Sequence, residues 1–94
     1  MEKLQILFNQ HPDAINSHSE LAAYLYELFP NSRAETNALL AAYDLDIIKQ
    51  AKEGRKDFVI SRYIGRLEDY YGISRYYAEF AANTWCSLVE KSVV

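Results

Sequence analysis

Residues 17–35 read SHSELAAYLYELFPNSRAE, and this stretch decides the fold. Ser17 with Glu20, then Ser32 with Glu35, repeat the spacing of a capping box, in which a hydroxyl bonds the amide three residues on and the carboxylate returns to the capping amide. Between the boxes, Leu21, Tyr24, Leu25, Leu28 and Phe29 recur at helical spacing, and Pro30 stops the run. The stretch predicts one complete helix and the start of the next, whose inward face is Thr36, Leu39, Leu40 and Tyr43.

Working outward, Leu4, Leu7 and Phe8 predict a short first helix to about Gln10, ended by His11-Pro12, with HPDAINSHSE as a polar connection. After Tyr43, Asp44-Leu45-Asp46 interrupts the pattern. Asp46 is placed to cap a short helix that turns Ile47, Ile48 and Ala51 inward and ends near Gly54. From about Asp57 the stripe Ile60, Tyr63, Ile64, Leu67 and Tyr71 predicts a fifth helix, closed by Gly72, the residue that best tolerates a left-handed C-cap. Ser74 then caps a last helix with Tyr77, Phe80, Ala81, Thr84, Trp85 and Leu88 on one face. No period-two run or Asn-Gly hairpin signal occurs. The expectation is an all-α, compact single-domain bundle of five or six short helices over residues 1–94, several of them crossed.

The four letters I-S-R-Y occur at Ile60–Tyr63 and again at Ile73–Tyr76, but helix punctuation separates their roles. The first copy lies inside a helix with Arg62 outward; the second straddles a helix start. The stretch LFPNSRAETNALLAAYDLDII, with Tyr71-Gly72-Ile73 and Thr84-Trp85-Cys86 further on, resembles a small helical module of uncharacterised bacterial proteins over about residues 20–90. In that family the module is often attached to other domains and has no established activity. The resemblance implies a helical fold and either a free-standing module or an excised piece.

Apolar residues make up 50% of the chain, enough for one core and too many for disorder. The net charge of −3 disfavours a generic phosphate binder. The charge is uneven, however: −5 over residues 1–48, +4 over 49–66 and −2 over 67–94. A lone cysteine, Cys86, excludes an internal disulfide and fits a reducing, cytoplasmic setting. No run is long enough to span a bilayer and no signal peptide is evident, so no membrane partner is expected.

Catalytic chemistry finds little footing. Cys86, His11 and His18 are the residue types of a thiol and its base, but they sit in no local signature, and Cys86 falls away from the apolar stripe, beside Glu79 and Glu90. His11 and His18 are seven apart in a polar connection, unlike helical metal ligands at three or four, and read as solvated. The neighbouring carboxylates Asp44 and Asp46, or Glu68 and Asp69, read as caps and surface charges. The three glycines are isolated, which excludes a phosphate loop, and no cofactor or metal is expected. The chain reads as a non-enzyme.

Two binding readings remain. Phe58, Arg62, Arg66 and Tyr70 form an outward aromatic and arginine set, and Tyr and Arg are enriched at protein interfaces; the partner would be another protein or a second copy. Alternatively Lys49, Lys52, Arg55, Lys56, Arg62 and Arg66 offer phosphate contacts to a nucleic acid, although Glu53, Asp57 and Asp69 lie among them.

Overall fold

Proline, glycine and hydroxyl caps divide the described residues into six α-helices. In this computed structural model, which describes the backbone of residues 2–92 and the side chains of residues 4–89, they are α1 (Glu2–Gln10), α2 (His18–Leu28), α3 (Arg33–Asp44), α4 (Ile47–Glu53), α5 (Lys56–Tyr71) and α6 (Arg75–Ser92). No strand occurs among the described residues. The radius of gyration is 12.2 Å, against about 12 Å for a compact chain of this length.

Both serine caps form, though each box closes differently from expectation. Ser17 Oγ accepts from the Glu20 amide, but the Ser17 amide donates to the Ala14 carbonyl, not to a carboxylate. Ser32 Oγ accepts from the Glu35 amide and donates to Glu35 Oε1 at 3.0 Å, while the Ser32 amide donates to Phe29 O. The segment expected to be a plain connection contains a 3-10 turn, Pro12–Asn16, that buries Ala14. Proline at its first position costs no hydrogen bond there, and Tyr43 Oη donates to the Ile15 carbonyl at 2.6 Å, fastening the turn to α3.

Asp46 precedes α4 as expected, yet its side chain caps nothing: the residue is left-handed, φ 68°, and it is the carbonyl that accepts from Gln50. The preceding Leu45 carbonyl accepts the Tyr63 hydroxyl at 2.7 Å, so α5 clamps the α3–α4 corner. Gly54 sits in a tight corner. A Cβ there would stand 3.0 Å from Val59 Cγ2 and 3.1 Å from the Gln50 carbonyl oxygen, so a larger residue would require those neighbours to give by a few tenths of an ångström. Gly72 is required by conformation, at φ 65°, and the Ile73 amide reaches back to the Leu67 carbonyl to close α5.

α6 is the hub, packing on α3, α4 and α5, while α2 lies on α3 and the 3-10 turn. Its expected stripe is inward, and Ala78, Ala82, Cys86 and Val89 are buried as well, because a helix gripped by three neighbours is covered on more than one face. Trp85 sits fully buried at the centre, its Nε1–H donating to the Leu39 carbonyl at 2.9 Å and its ring 5.9 Å from Phe8. α3 is likewise buried beyond its stripe, at Ala38, Ala41 and Ala42. The exception is Tyr71, expected inward and found exposed: it ends α5 beside the left-handed Gly72, where the chain turns away. Among the described residues no helix is long and apolar enough to cross a membrane.

Candidate functional site

α5 has two faces with different duties. Val59, Tyr63, Ile64 and Leu67 are buried against the core. A helix turns 100° per residue, which carries Phe58, Arg62 and Asp69 to the opposite side, and all three are exposed. Phe58 is 60% exposed and Tyr70 69%, so these rings are not covering helix crossings. The Arg55 guanidinium lies 5.0 Å from the Phe58 ring centre and also pairs with Asp57 at 3.5 Å. Arg66 stands apart from the other three. It is half-buried, with its guanidinium 5.3 Å from the Tyr63 ring centre. Phe58, Arg62 and Tyr70 are thus presented to solvent, whereas Arg66 is turned partly onto its own helix.

The basic segment is less uniform than its charge count. Lys49 and Lys52 project from α4 into a groove of about 540 Å³ whose walls also carry Asp44, Asp46 and Asn16. Arg55 is engaged with Asp57, and Lys56 also has a partner. Asp44, Asp46 and Asp57 lie among these cations.

His11 and His18 are both exposed, as read, and each also has a neighbour. His18 Nδ1 lies 2.7 Å from Asp44 Oδ1, joining the start of α2 to the end of α3, and the His18 ring tilts against Tyr43 at 6.3 Å. His11 stacks on Tyr24 at 4.9 Å. The His18–Asp44 pair spans 26 residues, so no local spacing could have announced it. An imidazole held by a carboxylate is the base-and-orienter half of an acid–base arrangement. In the adjacent groove the only hydroxyl among the described lining residues is Tyr43's, which is committed to Ile15. Burial pushes that hydroxyl above the ordinary tyrosine value, with the Asp44 charge adding to the shift.

Cys86, expected outside the apolar stripe, is buried at 3% exposure; Glu90 lies outside the residues whose side chains are described. Glu68 is engaged by Arg75, which also pairs with Glu79. Among the described residues no three His, Cys, Asp or Glu side chains gather as metal ligands. Comparison of the chain with protein-family models, curated proteins and solved structures finds no match to any of them.

Proposed function

We propose that this chain is a non-enzymatic protein-interaction module that presents the outer face of α5, with Phe58, Arg62 and Tyr70 as its contact residues and Arg66 at the margin. The observation that carries this reading is the exposure of Phe58 and Tyr70 on a helix whose other face is fully committed to the core. Two large rings and an arginine that has no ion pair among the described residues match the composition of interface hot spots, where contact area and directed polar groups coincide. A cytoplasmic setting belongs to the same proposal, since it keeps the lone Cys86 a thiol.

The test is co-purification from a native lysate followed by mass spectrometry, comparing the unmodified chain with a Phe58→Ala, Arg62→Ala variant. Recovered partners should be lost in the variant while its helical circular dichroism is retained. Equal recovery of the same partners by both chains would refute the assignment to α5.

A further inference from the structure

Gly65 sits in the middle of α5 with no reason supplied by the monomer. A Cβ built there meets nothing within 4 Å and its φ is not positive, so neither space nor conformation demands glycine. Mid-helix glycine is nevertheless unfavourable by about 1 kcal/mol relative to alanine. What it does is lower the outer surface of the helix by one side chain, beside a groove of about 470 Å³ that Ile60, Ser61, Ile64 and Glu68 also line.

The charges around this notch are ordered. Arg62 lies three residues before Gly65 and Asp69 four after it, on the same outward face, and neither has an ion pair among the described residues. Asp57, Glu68 and Arg75 line the groove beside Gly65, but Arg75 is held by Glu68 and Glu79 and Asp57 by Arg55, and Arg66 is turned onto Tyr63. The free charges on this stripe are therefore one cation toward the N-terminal side and one anion toward the C-terminal side.

We infer that the partner of α5 is α5 of a second copy, antiparallel and crossing at Gly65. A twofold axis beside Gly65 sets Arg62 of each copy opposite Asp69 of the other, two ion pairs from one symmetry operation, as an isologous interface requires. A parallel pairing would set like charges together. The same axis brings each Phe58 over the other copy's Gly72–Ile73 corner and covers its ring, while Tyr70, which lies about 20° round the helix from Tyr63, stays outside the contact. This inference rests on the proposed use of α5 as a binding face and names its occupant. The contact of one 16-residue helix falls below the roughly 1,200 Å² of a stable specific interface, so the association is weak and concentration-dependent.

Sedimentation velocity on the full chain over a concentration series tests it. A reversible dimer should appear with rising concentration and recede with added salt. Arg62→Glu or Asp69→Arg alone should weaken it by roughly tenfold, because each turns two exposed attractions into repulsions; the double variant should restore it. Gly65→Leu, whose Cβ meets nothing within 4 Å, should keep the circular dichroism and block the dimer. A chain that stays monomeric throughout, or a dimer indifferent to the single reversals or not restored by the double, overturns the inference. Asp69 lies outside the proposed contact set, so a monomer that still loses a captured protein through Phe58→Ala, Arg62→Ala would sink self-pairing and leave the binding face standing.

Discussion

Tyr63→Phe deletes one oxygen from the centre of the fold and leaves a fully buried ring in place. That oxygen donates to the Leu45 carbonyl at 2.7 Å, and no other donor to this carbonyl is found among the described residues. The carbonyl stands where α3 has ended and the chain passes into the left-handed Asp46. The net value of such a bond is about 1 kcal/mol, and an unsatisfied carbonyl costs about 1–3 kcal/mol when fully buried. Leu45 is only half-buried, so water recovers part of that cost and the expected loss is about 1–2 kcal/mol. For a domain of this size each kcal/mol corresponds to about 4–8 °C in melting temperature. Urea unfolding followed by circular dichroism should show a lower midpoint with an unchanged slope. The pH dependence adds a second test. Burial raises the Tyr63 hydroxyl above its ordinary value and Asp46 adds to the shift, while Arg66 and Arg62 oppose it. A folded value above the unfolded one makes this contribution complete below a pH of about 10 and lost as the pH climbs through the folded value. The gap between the unmodified chain and Tyr63→Phe should therefore narrow above that pH. A loss under about 0.3 kcal/mol at neutral pH, well below the value of a typical bond, or a gap that stays constant into the alkaline range, would refute the clamp.

At the same corner, Asp46 is left-handed with no side-chain cap, so Asp46→Gly should exceed Asp46→Ala in urea stability by about 1 kcal/mol, the cost of a Cβ in that conformation; equal values would contradict the backbone account. Thr36 is fully buried and its Oγ1 has no hydrogen-bond partner among the described residues. Thr36→Val should raise stability by about 1 kcal/mol by removing an unsatisfied hydroxyl, as read from the shift in thermal midpoint. Cys86 should react with a thiol reagent slowly in the native protein and rapidly in urea, because its burial makes labelling wait on opening of α6; fast native labelling would place the thiol at the surface.

The fold was legible where a residue acts on its own neighbourhood. Ser17, Ser32, Pro30 and Gly72 mark helix ends by backbone chemistry that needs no tertiary partner, and they fall where the structure ends its helices. What the periodicity could not supply was coverage. A stripe of apolar residues reports one buried face, but α6 meets three helices, and the further burial of Ala78, Ala82 and Cys86 comes from neighbours distant in sequence. The 3-10 turn was hidden because its five residues are too few to show a period. His18 and Asp44 pair across two helices, and such a contact leaves no spacing to read.

The proposed binding face rests on different grounds, on residues that the fold does not explain. Tyr63, Ile64 and Leu67 are accounted for by the core they build; Phe58, Arg62, Gly65 and Asp69, on the other side of the same helix, are not. The exposed cation–ring contact of Phe58 with Arg55 is worth about 0.5–1 kcal/mol, so removing the Phe58 ring should cost no more than that in stability. The two faces should then separate in experiment: substitutions on the inner face lower the unfolding midpoint, whereas Phe58→Ala and the reversals at Arg62 and Asp69 leave it nearly unchanged and alter association. If Phe58→Ala instead destabilised the monomer as much as a core substitution does, its ring would belong to the packing of the α4–α5 corner, and the outer face of α5 would lose its strongest claim to be a binding surface.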